Sequence, residues 1–236
     1  MAAPRRIGLR RFSTAEFLVA LVLLFIGIPF VEYFDKGEII EVMLMTLVLI
    51  SGVLAVGGRR QTLVWAVILM LPAVTGKWVK FLWPELVPAE LSLVAGLVFL
   101  AFLIWQFLRF VLRAPRVNAE VLCAGVSIYL LLGLIWTFAY LLVARTVPDA
   151  FVFNVGPAAS HSLQGATAFY FSFVTLSTVG YGDIIPVSPV SRMLAAMEAI
   201  TGTLFVAVLI ARLVALHSSA GSPPEGKNIT TDDNRL

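Results

Sequence analysis

The stretch Thr175-Leu176-Ser177-Thr178-Val179-Gly180-Tyr181-Gly182-Asp183 sets two glycines one residue apart in a strongly apolar chain. The segment that runs up to it, Leu163 to Leu176, is apolar but too short to cross a bilayer. It is also too apolar for an ordinary surface loop, and a re-entrant half-helix fits it. On either side lie longer apolar segments, about 119–144 and 190–216, each long enough to span. The glycine-rich stretch therefore sits between two membrane helices, just after a helix that enters the membrane without crossing it.

Working outward, the whole chain has this character. Of its 236 residues, 60% are hydrophobic and only 13% charged, where a soluble domain carries about 25% charged residues. One globular core cannot hide so much apolar side chain, so the bilayer is the expected solvent. A hydrocarbon core of roughly 30 Å takes about 20 apolar residues as a helix. Six segments qualify: 13–34, 39–57, 61–83, 89–112, 119–144 and 190–216. Asp35-Lys36-Gly37, Gly57-Gly58-Arg59-Arg60, Pro84 and Pro88, and Ala114-Pro115 punctuate them, with Asn118 as an N-cap for the fifth helix. The run from Phe17 to Val31 follows Arg5, Arg6, Arg10 and Arg11 but has no small-x-small cleavage pattern, and it reads as a retained helix. Twelve basic residues fall on one side of this topology and five on the other. The basic side, with both termini, is expected to be cytoplasmic, which puts the glycine-rich loop outside. The basic residues form no single patch, so nucleic acid is not an expected partner, and the single Cys123 permits no internal disulfide.

Thr178 to Gly182 spells TVGYG, and this resembles the selectivity filter of the tetrameric potassium channels. The resemblance covers about residues 119–216 and implies a passive, potassium-selective channel that needs no cofactor beyond the permeating ion. It implies that the carbonyls of Thr178, Val179, Gly180 and Tyr181, with the Thr178 hydroxyl, replace the water that K+ sheds. Gly182 completes the filter, and Thr175, Ser177 and Asp183 support it. Inward-pointing carbonyls demand unusual backbone angles, which Gly180 and Gly182 supply without a Cβ penalty. The Tyr181 ring is expected to pack outward against the half-helix. The carboxyl end of that helix would aim its partial negative charge at a cation in the cavity. A pore of this kind needs four loops and the chain has one, so a homotetramer in the cell membrane is expected, with lipid around it. The expected fold is all-α: six spans plus the pore helix and filter loop. It divides into a basic amino terminus (1–12), a four-helix part (13–113), a pore part (118–217) and a disordered tail (218–236).

Six helices with the pore after the fifth resembles the voltage-gated layout, but residues 89–108 contain no arginine or lysine. Arg109, Arg113 and Arg116 come only at the inner end and read as cytoplasmic anchors. Each charge moved through the field is worth about 2.3 kcal/mol per 100 mV, so weak or no voltage dependence is expected. In the sixth helix, Gly202 is a candidate hinge, by its spacing in the resembling channels. Val206, Ile210 and Val214 share a face that would form a hydrophobic gate. Glu198, an acid at membrane depth, is a candidate regulator that could hydrogen-bond Ser172 or Thr175. His161 is a candidate outer proton sensor. The alternative function is a non-conducting or regulatory subunit of a potassium transport system. No metal or nucleophile constellation points to an enzyme.

Overall fold

The computed structural model describes residues 14–31, 37–56, 60–83, 85–86, 88–154 and 163–220. The amino-terminal segment, His161 and the tail beyond 220 lie outside them. Seven helices and two short strands follow in order: α1 (Thr14–Val31), α2 (Gly37–Val56), α3 (Arg60–Leu82), α4 (Ala89–Arg113), α5 (Ala119–Thr146), β1 (Phe151–Phe153), α6 (Gly165–Leu176), β2 (Ile184–Pro186) and α7 (Pro189–Ala220). The helices fall where the apolar segments predict them. Helix α5 starts as expected, with the Asn118 side chain accepting from the Val121 N–H at 2.9 Å.

Helices α2, α3, α4, α5 and α7 are long and apolar enough to cross a membrane, whereas α1 is apolar but falls short of that length. Their outward faces carry large apolar side chains such as Val19, Ile26, Trp65 and Leu91, all more than half exposed. A soluble fold would pay for such faces with aggregation; in a bilayer they are simply solvated.

Helices α1 to α4 pack as successive neighbours, and α1 and α4 then lean on α5 of the same chain. The seam is aromatic. Phe17 of α1 stacks on Phe107 of α4 at 5.0 Å. Phe25 of α1 meets Phe169 and Phe173 of α6 edge-on, at 4.6 and 4.4 Å. The first helix thus touches the half-helix directly. Helix α6 sits between α5 and α7, and Gly133 of α5 lets it come close: a Cβ there would stand 1.9 Å from the Phe173 ring.

The helical fold expected from the sequence carries one small addition. Strands β1 and β2 pair antiparallel, with Phe151 opposite Pro186 and Phe153 opposite Ile184. Each strand is only three residues long. Too short for an alternating pattern to be read, they exist because they join the loop after α5 to the exit of the glycine-rich loop.

Candidate functional site

The site is the loop from Ser177 to Asp183, held at the carboxyl end of α6. Its backbone alternates in hand: Thr178, Gly180 and Gly182 have φ of 60°, 57° and 78°. The two glycines occupy these angles without penalty. Thr178 does so against its preference, which sequence reasoning did not foresee. The loop's N–H groups turn back to the helix end. Thr178 N–H donates to the Thr175 carbonyl at 2.9 Å, Val179 N–H to that of Val174 at 2.9 Å, and Gly180 N–H to the same oxygen at 3.4 Å. The carbonyls of Thr178, Val179, Gly180 and Tyr181 accept no hydrogen bond from the described residues. Carbonyls without protein donors are chemically able to accept a cation. Of the two supports expected here, Thr175 acts through its carbonyl. Ser177 ties its hydroxyl to the Phe173 carbonyl at 2.6 Å.

The exit of the loop is clamped from outside. Asn154, just past β1, donates its Nδ2 to the Gly182 carbonyl at 2.9 Å and its backbone N–H to the Asp183 carbonyl at 2.8 Å. Gly182 therefore differs from the four residues before it, because its carbonyl already has a protein donor. Asp183 accepts from the Ile184 N–H at 3.1 Å. The Tyr181 ring lies parallel to Tyr170 of α6, centroids 6.5 Å apart, as the half-helix packing predicts, yet remains 71% exposed. Asn154 gave no sequence signal, since its partners stand 28 residues away.

Behind the loop, Glu198 of α7 is fully buried. Its Oε1 lies 2.6 Å from Ser172 Oγ of α6 and its Oε2 2.5 Å from the Tyr140 hydroxyl of α5. Ser172 was among the expected partners. Thr175 is replaced by Tyr140, a residue whose only signal was a phenol inside an apolar span. Glu198 thus ties together the three helices that surround the filter.

On α7, Val206, Ile210 and Val214 are exposed, while Phe205, Leu209 and Leu213 pack on the core. The expected gate face therefore points away from α5. Gly202 is buried against α6, where a Cβ would stand 2.2 Å from the Leu176 carbonyl oxygen. Close approach to the filter helix is thus a sufficient reason for glycine there. Near the far end of α7, Arg212 reaches the end of α4: Nε donates to the Val111 carbonyl at 3.3 Å, and Nη2 to those of Leu112 at 2.5 Å and Ala114 at 3.3 Å. The last carbonyls of a helix lack intrahelical donors, and this guanidinium supplies them. In sequence, Arg212 reads only as one more basic residue of the tail.

Residues 121–218 match the family described as "Ion channel". Among known proteins, the chain is similar to two-pore potassium channel 4 of Arabidopsis thaliana, 49% identical over 47 residues, which is 20% of this chain and 16% of the relative. It is also similar to two pore potassium channel c of Oryza sativa subsp. japonica, 34% identical over 80 residues, covering 34% of this chain and 18% of the relative. A third relative is the voltage-gated potassium channel Kch of Escherichia coli, 58% identical over 36 residues, covering 15% of this chain and 9% of the relative. The matches thus span less than a fifth of the length of these relatives. No solved structure matches the chain.

Proposed function

We propose that this chain, a multi-pass membrane protein whose residues 121–218 belong to the potassium-channel pore family, is a potassium-selective channel subunit that conducts K+ passively. The observation that carries this reading is the set of carbonyls from Thr178 to Tyr181, left without protein donors while the N–H groups of Thr178, Val179 and Gly180 bond to α6. Exposed carbonyls without protein donors are free to coordinate a cation in place of water. Each chain contributes one loop, and a closed ring of carbonyls around an ion takes four, so the assembly is a homotetramer. In it the exposed face of Val206, Ile210 and Val214 lines the inner pore and closes it by dewetting. Any bending of α7 at Gly202 has to break its contact with Leu176.

The filter faces outward and both termini lie inside, in the cell membrane, on the strength of the basic bias. Conduction depends little on voltage: α4 carries its arginines only at Arg109 and Arg113, near its end. The similarity to the relative named voltage-gated Kch is confined to 36 residues, 15% of this chain.

Potassium against sodium flux through the purified full-length protein in liposomes, with barium as blocker, tests this reading. Barium-sensitive flux that favours K+ and survives reversal of the membrane potential is expected. Equal K+ and Na+ flux rejects the selectivity. Absence of flux at every potential favours the second reading, a non-conducting subunit.

A further inference from the structure

Helix α6 carries the glycine-rich loop at its carboxyl end, and it starts at Gly165 without a side-chain cap: Gln164 makes no capping hydrogen bond. The Thr167 and Ala168 N–H groups donate to the Gln164 carbonyl at 2.9 and 3.4 Å, while those of Gly165 and Ala166 donate to no described residue. A helix start of this kind carries a partial positive charge and favours an anion beside it. An anion is in place there, and it comes from α2. Beyond the chain neighbours of Gly165, the atom nearest to where a Cβ would stand on it is Glu41 Oε2, at 3.9 Å. The other oxygen of that carboxylate, Oε1, accepts from the Lys77 ammonium of α3 at 3.0 Å.

One carboxylate thus lies between two positive groups, one on α3 and one at the start of the filter helix. The Lys77 ammonium also lies over the Phe138 ring of α5, 5.8 Å from its centroid, so it has a second partner besides Glu41. The Glu41 and Lys77 side chains are 32% and 21% exposed, which leaves the charges only partly screened by water. Two cavities of about 200 and 250 Å³ open beside the pair, and Glu41, Lys77, Gln164 and Gly165 line both. The other charged groups nearby, Glu38 of α2, Lys80 of α3 and Arg145 of α5, line the second cavity and not the first. Glu38 stands one turn nearer the amino end of α2 than Glu41 does.

We infer that Glu41 is a positioning residue for the filter: its carboxylate, shared with Lys77, answers the positive start of α6, so that α2 helps to fix the helix from which the glycine-rich loop hangs. The effect on conduction rests on the channel reading; the contact with α6 does not.

Hydrogen exchange of the full-length protein, read by mass spectrometry on peptides that cover the first turn of α6, tests the contact. Glu41→Gln keeps the shape and removes the charge, and exchange there should be roughly two- to fivefold faster, the size of one charge–dipole contact. Lys77→Gln keeps the carboxylate and removes the cation that shares it, so exchange should stay near native. Glu38→Gln should also stay near native. Exchange unchanged in Glu41→Gln overturns the inference. Equal acceleration in Glu41→Gln and Lys77→Gln overturns it too, because the ion pair alone would then explain the effect, and equal acceleration in Glu38→Gln makes it a property of the general field. If Glu41→Gln does not assemble, Lys77→Gln decides: near-native exchange supports the role of the carboxylate, and failed assembly assigns it to the ion pair. The decay of potassium current on withdrawal of external K+ then tests the link to the filter. Decay should be several-fold faster in Glu41→Gln and near native in Lys77→Gln. Faster exchange with unchanged decay overturns that link alone. Absence of all current in the native chain leaves the exchange result standing and indicts the channel reading instead.

Discussion

The carboxyl of Glu198 and the hydroxyl of Ser172 lie 2.6 Å apart, and Ser172 Oγ is also 2.8 Å from the Gly133 carbonyl. A serine hydroxyl has one proton to give and a carbonyl has none. Both contacts are hydrogen bonds together only when Ser172 donates to Gly133 and Glu198, carrying a proton, donates to Ser172. Tyr140 then donates to the other carboxyl oxygen. A neutral acid also suits a fully buried site at membrane depth, where a lone charge costs several kcal/mol.

Glu198→Gln keeps a donor and an acceptor in the same place, so K+/Na+ selectivity and tetramer stability should stay near those of the native chain. Glu198→Ala leaves the buried Tyr140 hydroxyl without its acceptor, at roughly 1–3 kcal/mol, while Ser172 keeps its bond to the Gly133 carbonyl; it should lower the thermal midpoint of the protein and its flux. Tyr140→Phe should do so by one bond's worth. Thermal scans with flux measured in parallel would check the series, and a Gln variant as damaged as Ala would refute the proton assignment.

Gly180 has φ of 57° with nothing within 4 Å of where a Cβ would stand. The cost of Gly180→Ala is therefore conformational rather than steric, roughly 1–2 kcal/mol per chain. We expect an assembled protein whose K+/Na+ discrimination is lost, read as reversal potential in mixed salts.

Asn154, just past β1, secures the exit of the glycine-rich loop. Asn154→Ala removes the bond to the Gly182 carbonyl and leaves the backbone bond to Asp183 in place. One hydrogen bond of about 1 kcal/mol corresponds to a several-fold change in an equilibrium. Current should therefore decay several-fold faster when external K+ is withdrawn, with little change in protein stability. Unchanged decay would make the clamp ornamental.

Gly202→Ala places a Cβ 2.2 Å from the Leu176 carbonyl, inside any permitted contact, so α7 or the filter helix has to shift. A loss of assembly stability together with altered selectivity is expected. Loss of open probability alone, with the thermal midpoint unchanged, would instead favour the hinge.

Five of the six expected spans, the short apolar helix before the glycine-rich loop and the loop's glycines were legible in the sequence because bilayer thickness and backbone geometry impose local rules. A spanning helix must be apolar for about 20 residues, and a left-handed turn selects glycine where it occurs. The Asn118 cap and the apolar face of Val206, Ile210 and Val214 are local in the same way. The braces are not. Asn154 reaches Gly182 across 28 residues, Tyr140 reaches Glu198 across 58, and Arg212 reaches Val111 across 101. None of these pairs shares a helix or a spacing rule, so each partner alone reads as an ordinary loop, aromatic or tail residue. Tertiary packing alone decided them, because a buried polar group takes whichever partner the surrounding helices bring within about 3 Å.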